Sequence, residues 1–246
     1  MKSRFVSALT VAASLVLLLA GCETRSISDS GYRHGESNRY YRGELTETDV
    51  IGAPDATHPI TDADIQRALH NNHSVHAAPG TGLVVVQSGA LVPDDAMLQL
   101  LNTRRYRVQP FSGLPDERGF NDTAPADHGS YSKRLRLAAA QGGIPHILCY
   151  WGTLESAREN QVTKAVSWVP IAGNLVPDEN QRMRINVHAV LIDVATGRWS
   201  PYTGKPAEDA ALSAQVLRGS SDQKQVAKLK AAAYASLVDE LVARSS

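Results

Sequence analysis

Gly82-Leu83-Val84-Val85-Val86-Gln87-Ser88-Gly89 is the stretch from which the rest of the chain can be ordered. Its apolar run is continuous rather than alternating, which predicts a strand covered on both faces. The flanking sequence supplies helices to pack against it. Pro93-Asp94-Asp95 opens a helix carrying Met97, Leu98, Leu100 and Leu101. Residues 106–111 (Tyr-Arg-Val-Gln-Pro-Phe) form a second strand, stopped by Ser112-Gly113 and Pro115. Residues 116–126 are polar and without apolar period, so they read as a loop. A helix then spans residues 128–141 and ends at Gly142-Gly143, where glycine suits the cap.

Further on, residues 146–151 are a third strand and residues 161–171 a fourth, with Val162, Ala165 and Val169 among its apolar positions. Residues 184–194 are a fifth. Ile185, Val187, Ala189 and Leu191 line one of its faces, while Val190, Ile192 and Val194 thicken the other. Ala195-Thr196-Gly197 turns the chain, and Arg198-Trp199 lead into a short extended piece. A helix over residues 222–244 closes the sequence, with Val226, Leu229, Ala233, Leu237 and Leu241 at helical spacing. Upstream, Thr61 caps a short helix, with Asp64 three residues on and Ile65 and Leu69 as an i, i+4 apolar pair. There is no internal repeat. Helices alternating with strands early and adjacent long strands late predict an α/β (α+β) fold. Its form is a single mixed sheet of about five strands with helices packed on it, in the order β-α-β-α-β-β-β-α.

Three features carry a likeness to a known group. They are the triple valine Val84-Val85-Val86, the helix ending in Gly142-Gly143 before residues 144–151, and the run Ala189-Val-Leu-Ile-Asp-Val-Ala-Thr-Gly197. The layout resembles the α/β domain shared by three kinds of envelope protein. These are the curli secretion-channel lipoprotein, the amino-terminal domain of the Tol–Pal translocation protein, and the lipoprotein activators of penicillin-binding proteins. The last run is similar to that group's strand, Asp-Val-x-Thr-Gly turn, strand hairpin. The likeness covers about residues 83–242. It implies a periplasmic domain that works by touching other envelope proteins or its own copies; long amphipathic membrane hairpins, as a pore would need, are not found.

The amino terminus points the same way. Lys2 and Arg4 precede an apolar stretch over residues 11–20, the pattern of a secretory signal spanning residues 1–21. That stretch is half of the roughly 20 residues that a bilayer-spanning helix needs. Leu19-Ala20-Gly21-Cys22 resembles the lipobox of bacterial lipoproteins, which implies cleavage before Cys22, lipid on its thiol and palmitate-like acylation of the new amine. Two or more chains anchor a protein stably where one does not. Glu23, rather than aspartate, follows the cysteine; by resemblance to enterobacterial lipoproteins this favours the outer membrane. Residues 22–60 are polar and aperiodic, and read as a lipidated flexible tether whose coil dimension is roughly 35 Å. Residues 31–34 and 39–42 interleave tyrosine with arginine and histidine, as expected of a solvated linker. The folded domain is then residues 61–246, facing the periplasm.

Cleavage leaves 225 of the 246 residues and removes two of 25 basic groups, so that 23 face 25 acidic ones. A net charge of about −2 gives no electrostatic case for nucleic acid. With Cys22 lipidated, Cys149 has no partner for a disulfide, and its apolar surroundings read as a buried strand cysteine.

His70, His73 and His76, with His58 upstream, are the candidate metal ligands. Asn71-Asn72 marks a helix end there, and no carboxylate or cysteine completes a set, so no metal or cofactor is expected. Ser88 and Ser112 each follow a strand and precede glycine, where a nucleophile can sit, but neither is framed as Gly-x-Ser-x-Gly. His146 and His188 fall within strands. Gly80, Gly82, Gly142 and Gly143 precede strands rather than helices, so they cradle no phosphate. No catalytic residue is assigned and no enzyme is expected. The function expected is that of a membrane-anchored periplasmic lipoprotein, a non-enzymatic interaction or assembly factor of the cell envelope. The alternative is a small-molecule or metal-binding lipoprotein.

Overall fold

The computed structural model describes residues 25–29, 41–52, 59–70, 74–115, 128–159, 166–170, 180–212 and 218–245. The signal segment, Cys22, residues 31–34, His58, His73 and residues 116–126 lie outside them. In chain order the elements are β1 (Arg25–Ser26), α1 (Glu47–Ile51), α2 (Asp62–His70), β2 (Gly82–Gln87), α3 (Asp95–Thr103), β3 (Arg107–Phe111) and α4 (His128–Gln141). They continue as β4 (His146–Glu159), β5 (Val166–Pro170), β6 (Asn180–Asp193), β7 (Trp199–Thr203), β8 (Ala207–Leu212) and α5 (Arg218–Ala243). The eight strands of the described residues join one sheet along the path β3-β2-β4-β6-β7, with β1 and β5 added to β4 and β8 added to β6. Strand β2 runs parallel to β3 and β4, whereas β4, β6 and β7 are antiparallel neighbours. The sheet is mixed, as the sequence predicts.

Helices cover both faces. On one, Leu83, Val85, Leu148, Tyr150 and Leu191 meet Met97 and Leu101 of α3 and Leu229, Ala233, Tyr234 and Leu237 of α5. On the other, Val84, Val86, Ile147, Cys149, Val190 and Ile192 meet Leu135 and Ala139 of α4, together with Leu45 and Val50. Adjacent valines of β2 therefore serve opposite cores, which is why the run has no polar alternation. The β6–β7 turn follows the predicted chemistry. Asp193 Oδ1 accepts from the Thr196 amide at 2.7 Å and its hydroxyl at 2.6 Å, and Gly197 takes φ +73°. Arg136 of α4 clamps this turn from above, donating to the carbonyls of Val194 and Ala195.

Three expectations are corrected. Among the described residues there are eight strands rather than about five, seven of them having five residues or more. Strand β4 does not stop at Trp151, nor does β6 begin at Arg184. Each has 14 residues, and they pair continuously from His146↔Asp193 to Ser156↔Met183. Polar residues there (Thr153, Glu155, Arg184, Asn186) hide the strand period, because Glu155 Oε2 takes donors from both Arg184 and Asn186 across the pair. The tether is the third correction. Residues 25–29 and 41–52 are built into the fold: β1 pairs with β4, Ile27 is 1% exposed, and Leu45 and Val50 belong to the second core. The short helix predicted after Thr61 forms as α2, with Ile65 and Leu69 on one face; that face is exposed and the helix has no buried residue.

Candidate functional site

In open α/β sheets, ligand sites form beyond the carboxyl ends of the parallel strands. Here that end is made by two Ser-Gly pairs. The register Val86↔Phe111 places Ser88-Gly89, after β2, beside Ser112-Gly113, after β3. The Gly89 amide donates to the Gly113 carbonyl at 2.9 Å, and the Gly113 amide to the Ala90 carbonyl at 2.8 Å. Both glycines are obligatory. Gly89 takes φ +75°, and a Cβ on Gly113 would lie 1.9 Å from the Gln87 carbonyl oxygen.

The space above them is filled by the amino-terminal segment. Ser28 Oγ donates to the Ser88 carbonyl at 2.5 Å and accepts from Gln87 Nε2 at 3.0 Å. Ser88, 1% exposed, accepts from the Leu45 amide at 2.8 Å and donates to the Leu45 carbonyl at 3.3 Å. The indole N–H of Trp151 donates to that same carbonyl at 2.6 Å. Ile27 lies flat over Gly152, where a Cβ would come within 2.7 Å of its Cδ1. Ser88 thus acts as a latch for backbone, with its hydroxyl engaged by an amide and a carbonyl rather than by a base.

A second set of polar groups continues beneath. Gln87 Oε1 accepts from the Tyr150 hydroxyl at 2.6 Å and the Asp94 amide at 2.7 Å. Asp94 is the N-cap of α3 yet makes no side-chain cap bond. Its Oδ2 instead accepts from the Tyr234 hydroxyl at 2.6 Å and Lys230 Nζ at 3.0 Å, tying α5 to the start of α3. Burial pushes both phenols well above their ordinary range, so they stay donors. Burial also raises the carboxyl of Glu44, against the opposing effect of the bond from Ser26 Oγ at 2.6 Å.

The other candidates scatter. Cys149 is buried, and burial first, then the Glu44 charge, drives its thiol well up, leaving it unreactive. Ser112 Oγ accepts from the Leu114 amide. His188 stacks on Trp151, with centroids 5.3 Å apart and planes 7° apart, and its Nε2 lies 3.5 Å from Glu47 Oε1. His146 lies at the opposite end of β4, beside Asp193, with a buried Nδ1 that makes no hydrogen bond. His70 ends α2, with Nδ1 2.9 Å from the Gln66 carbonyl, while His76 stands exposed outside any helix or strand. The two do not share a helix, and His73 and His58 lie outside the described residues. Among the described residues no three His, Cys, Asp or Glu side chains gather where a metal ion could sit.

Sequence reasoning missed Ser28, Glu44 and Leu45 because nothing in a polar, aperiodic stretch marks them. The one usable signal was the glycine after each serine, which announces a close backbone approach. No described helix is long and apolar enough to cross a membrane. No curated protein shows significant similarity to the chain. Residues 46–244, most of its length, match the family described as YafT bacterial lipoprotein, and the chain belongs to that family.

Proposed function

We propose that this lipoprotein is acylated on Cys22, faces the periplasm from the outer membrane, and acts as a non-enzymatic interaction or assembly factor of the envelope. Family membership and the Leu19-Ala20-Gly21-Cys22 sequence support the anchor. The resemblance to envelope-machine lipoproteins supports the role, on the associational footing that any fold likeness has.

One observation carries the interaction reading. Helix α2 has its own capping box, with the Thr61 amide and hydroxyl donating to Asp64 Oδ2 at 3.0 and 2.7 Å, yet buries none of its residues. Ile60, Ile65 and Leu69 are each about half or more exposed. A capped amphipathic helix with its apolar face outward is the shape that partner grooves accept. The test is in-cell photo-crosslinking from positions 65 and 69 of the lipidated protein, with position 66 as control. Capture of the same envelope protein, or of a second copy, from 65 and 69 but not 66 is expected. No crosslink from either position would overturn the interaction role, and a mature amino terminus without acyl chains would overturn the anchor.

A further inference from the structure

Leu91 and Val92 are 56% and 57% exposed, two neighbouring aliphatic side chains in water. They follow the Ser88-Gly89 turn, in which the Ala90 amide returns to the Gln87 carbonyl at 3.1 Å. Phe111, also exposed, ends β3 just before Ser112-Gly113, whose Gly113 amide holds the Ala90 carbonyl. Three exposed apolar side chains therefore gather at one end of the sheet. The amino-terminal segment lies at the same end: Gly89 faces Ser28 Cβ, and β1 pairs with Leu154 and Thr153 of β4.

Chain length then limits where the bilayer can be. Arg25 is fixed to the sheet, and three residue steps separate it from Cys22. At no more than 3.6 Å per residue, three steps of chain reach at most about 11 Å from Arg25. A coil through residue 60 would have allowed roughly three times that distance. The β6–β7 turn is far away: it begins beside His146, eight residues along β4 from Leu154, or about 26 Å.

We infer that the domain rides directly on the phospholipid surface, β1 edge and β2–α3 loop downward, with Leu91 and Val92 entering the boundary between headgroups and acyl chains. The inference rests on acylation of Cys22. It makes the anchor an orienting device and turns the Asp193–Arg198 turn toward the periplasm. Aliphatic side chains beside a lipid anchor add apolar area to a surface already held at the interface.

The test uses the full, processed lipoprotein in vesicles of phosphatidylethanolamine with a minor share of phosphatidylglycerol. Cys149 is buried and Cys22 acylated, so Val92→Cys and Ala195→Cys each accept an environment-sensitive fluorophore selectively. Nitroxide lipids labelled just below the headgroup should quench position 92 at least about threefold more strongly than position 195. Leu91→Asp should reduce the quenching at 92. Equal quenching at the two positions, or none at 92 on vesicles that still carry the protein, would overturn the inference. So would a blue shift at 92 without lipid quenching, which would mean that a protein covers the patch. Absence of acyl chains from the intact mass, together with failure to float with vesicles, would instead remove the lipoprotein reading and this inference with it.

Discussion

Leu45 and Ser88 exchange two hydrogen bonds across 43 residues of chain: the Leu45 amide donates to Ser88 Oγ at 2.8 Å, and Ser88 Oγ donates to the Leu45 carbonyl at 3.3 Å. Both groups are buried. The pair converts the end of a buried parallel strand into a fastening for a segment whose composition is that of a linker. The carboxyl end of β2, the usual place for a ligand in such sheets, is thereby occupied by the protein's own backbone.

Ser88→Ala leaves the buried Leu45 amide without its acceptor, while the Leu45 carbonyl keeps the Trp151 indole. An orphaned buried donor costs about 1–3 kcal/mol. Urea unfolding of the mature chain should show a loss of that size. Limited proteolysis should cut between residues 29 and 41 faster than in the parent. Ser112→Ala is the contrast: its Oγ accepts only a 3.3 Å bond from the Leu114 amide, so the loss should stay below about 1 kcal/mol.

Gly113→Ala should be among the most damaging single changes, because the added Cβ meets the Gln87 carbonyl oxygen at 1.9 Å and must part the ends of β2 and β3. A loss of about 3 kcal/mol or more is expected in thermal or urea unfolding. Gly152→Val is more local. It displaces Ile27, so the Ile27 amide, bonded to the Gly152 carbonyl at 3.0 Å, should exchange with solvent while the amides of β2 stay protected.

Tyr234→Phe removes the hydroxyl that Asp94 Oδ2 accepts at 2.6 Å but keeps the ring, which packs edge-on to Tyr150 with centroids 5.6 Å apart. A hydrogen bond to a charged acceptor is worth about 1.5–3 kcal/mol. Chemical denaturation should show a loss in that range, with the denaturant slope unchanged.

The fold should weaken below neutrality. Burial holds His146 and His188 below the usual 6.5, against the opposing charges of Asp193 and Glu47 respectively. A histidine depressed in the native state binds fewer protons there than when unfolded, so stability is lost as pH falls below 6.5 through the native value. Melting temperatures taken from about pH 7.5 to about pH 5.5 should fall, and His188→Gln should flatten the slope. Glu44 works in the opposite sense: its raised carboxyl binds the proton more tightly when folded, so it disfavours the fold as pH rises above 4.5.

Much of this architecture is legible in the sequence, for identifiable reasons. Leu83 to Val86 must be covered on both sides, and the helices that cover them carry apolar residues at helical spacing, one of them stopped by Gly142-Gly143. The Asp193-Val-Ala-Thr-Gly197 turn is written in side chains that bond their own backbone. What stays hidden depends on partners distant in sequence. Strand β1 has two residues and one neighbouring isoleucine, and no periodicity can emerge from so few. The outer halves of β4 and β6 are held by Glu155, Arg184 and Asn186, residue types that by themselves suggest solvent. Ser88 was visible as a residue placed to do something, but a latch and a nucleophile share the same local pattern. Only the Leu45 backbone distinguishes them.

Residues 25–29 and 41–52 belong to the folded domain and are fastened at Ser88. Native-state hydrogen exchange on the purified mature lipoprotein tests this most directly, read at the amides of Ile27 and Leu45. Protection close to that of Val85 in β2, with Ser88→Ala lowering it at Leu45 first, is the predicted result. Exchange of both amides at the rate of an unstructured chain, while Val85 stays protected, would contradict the claim.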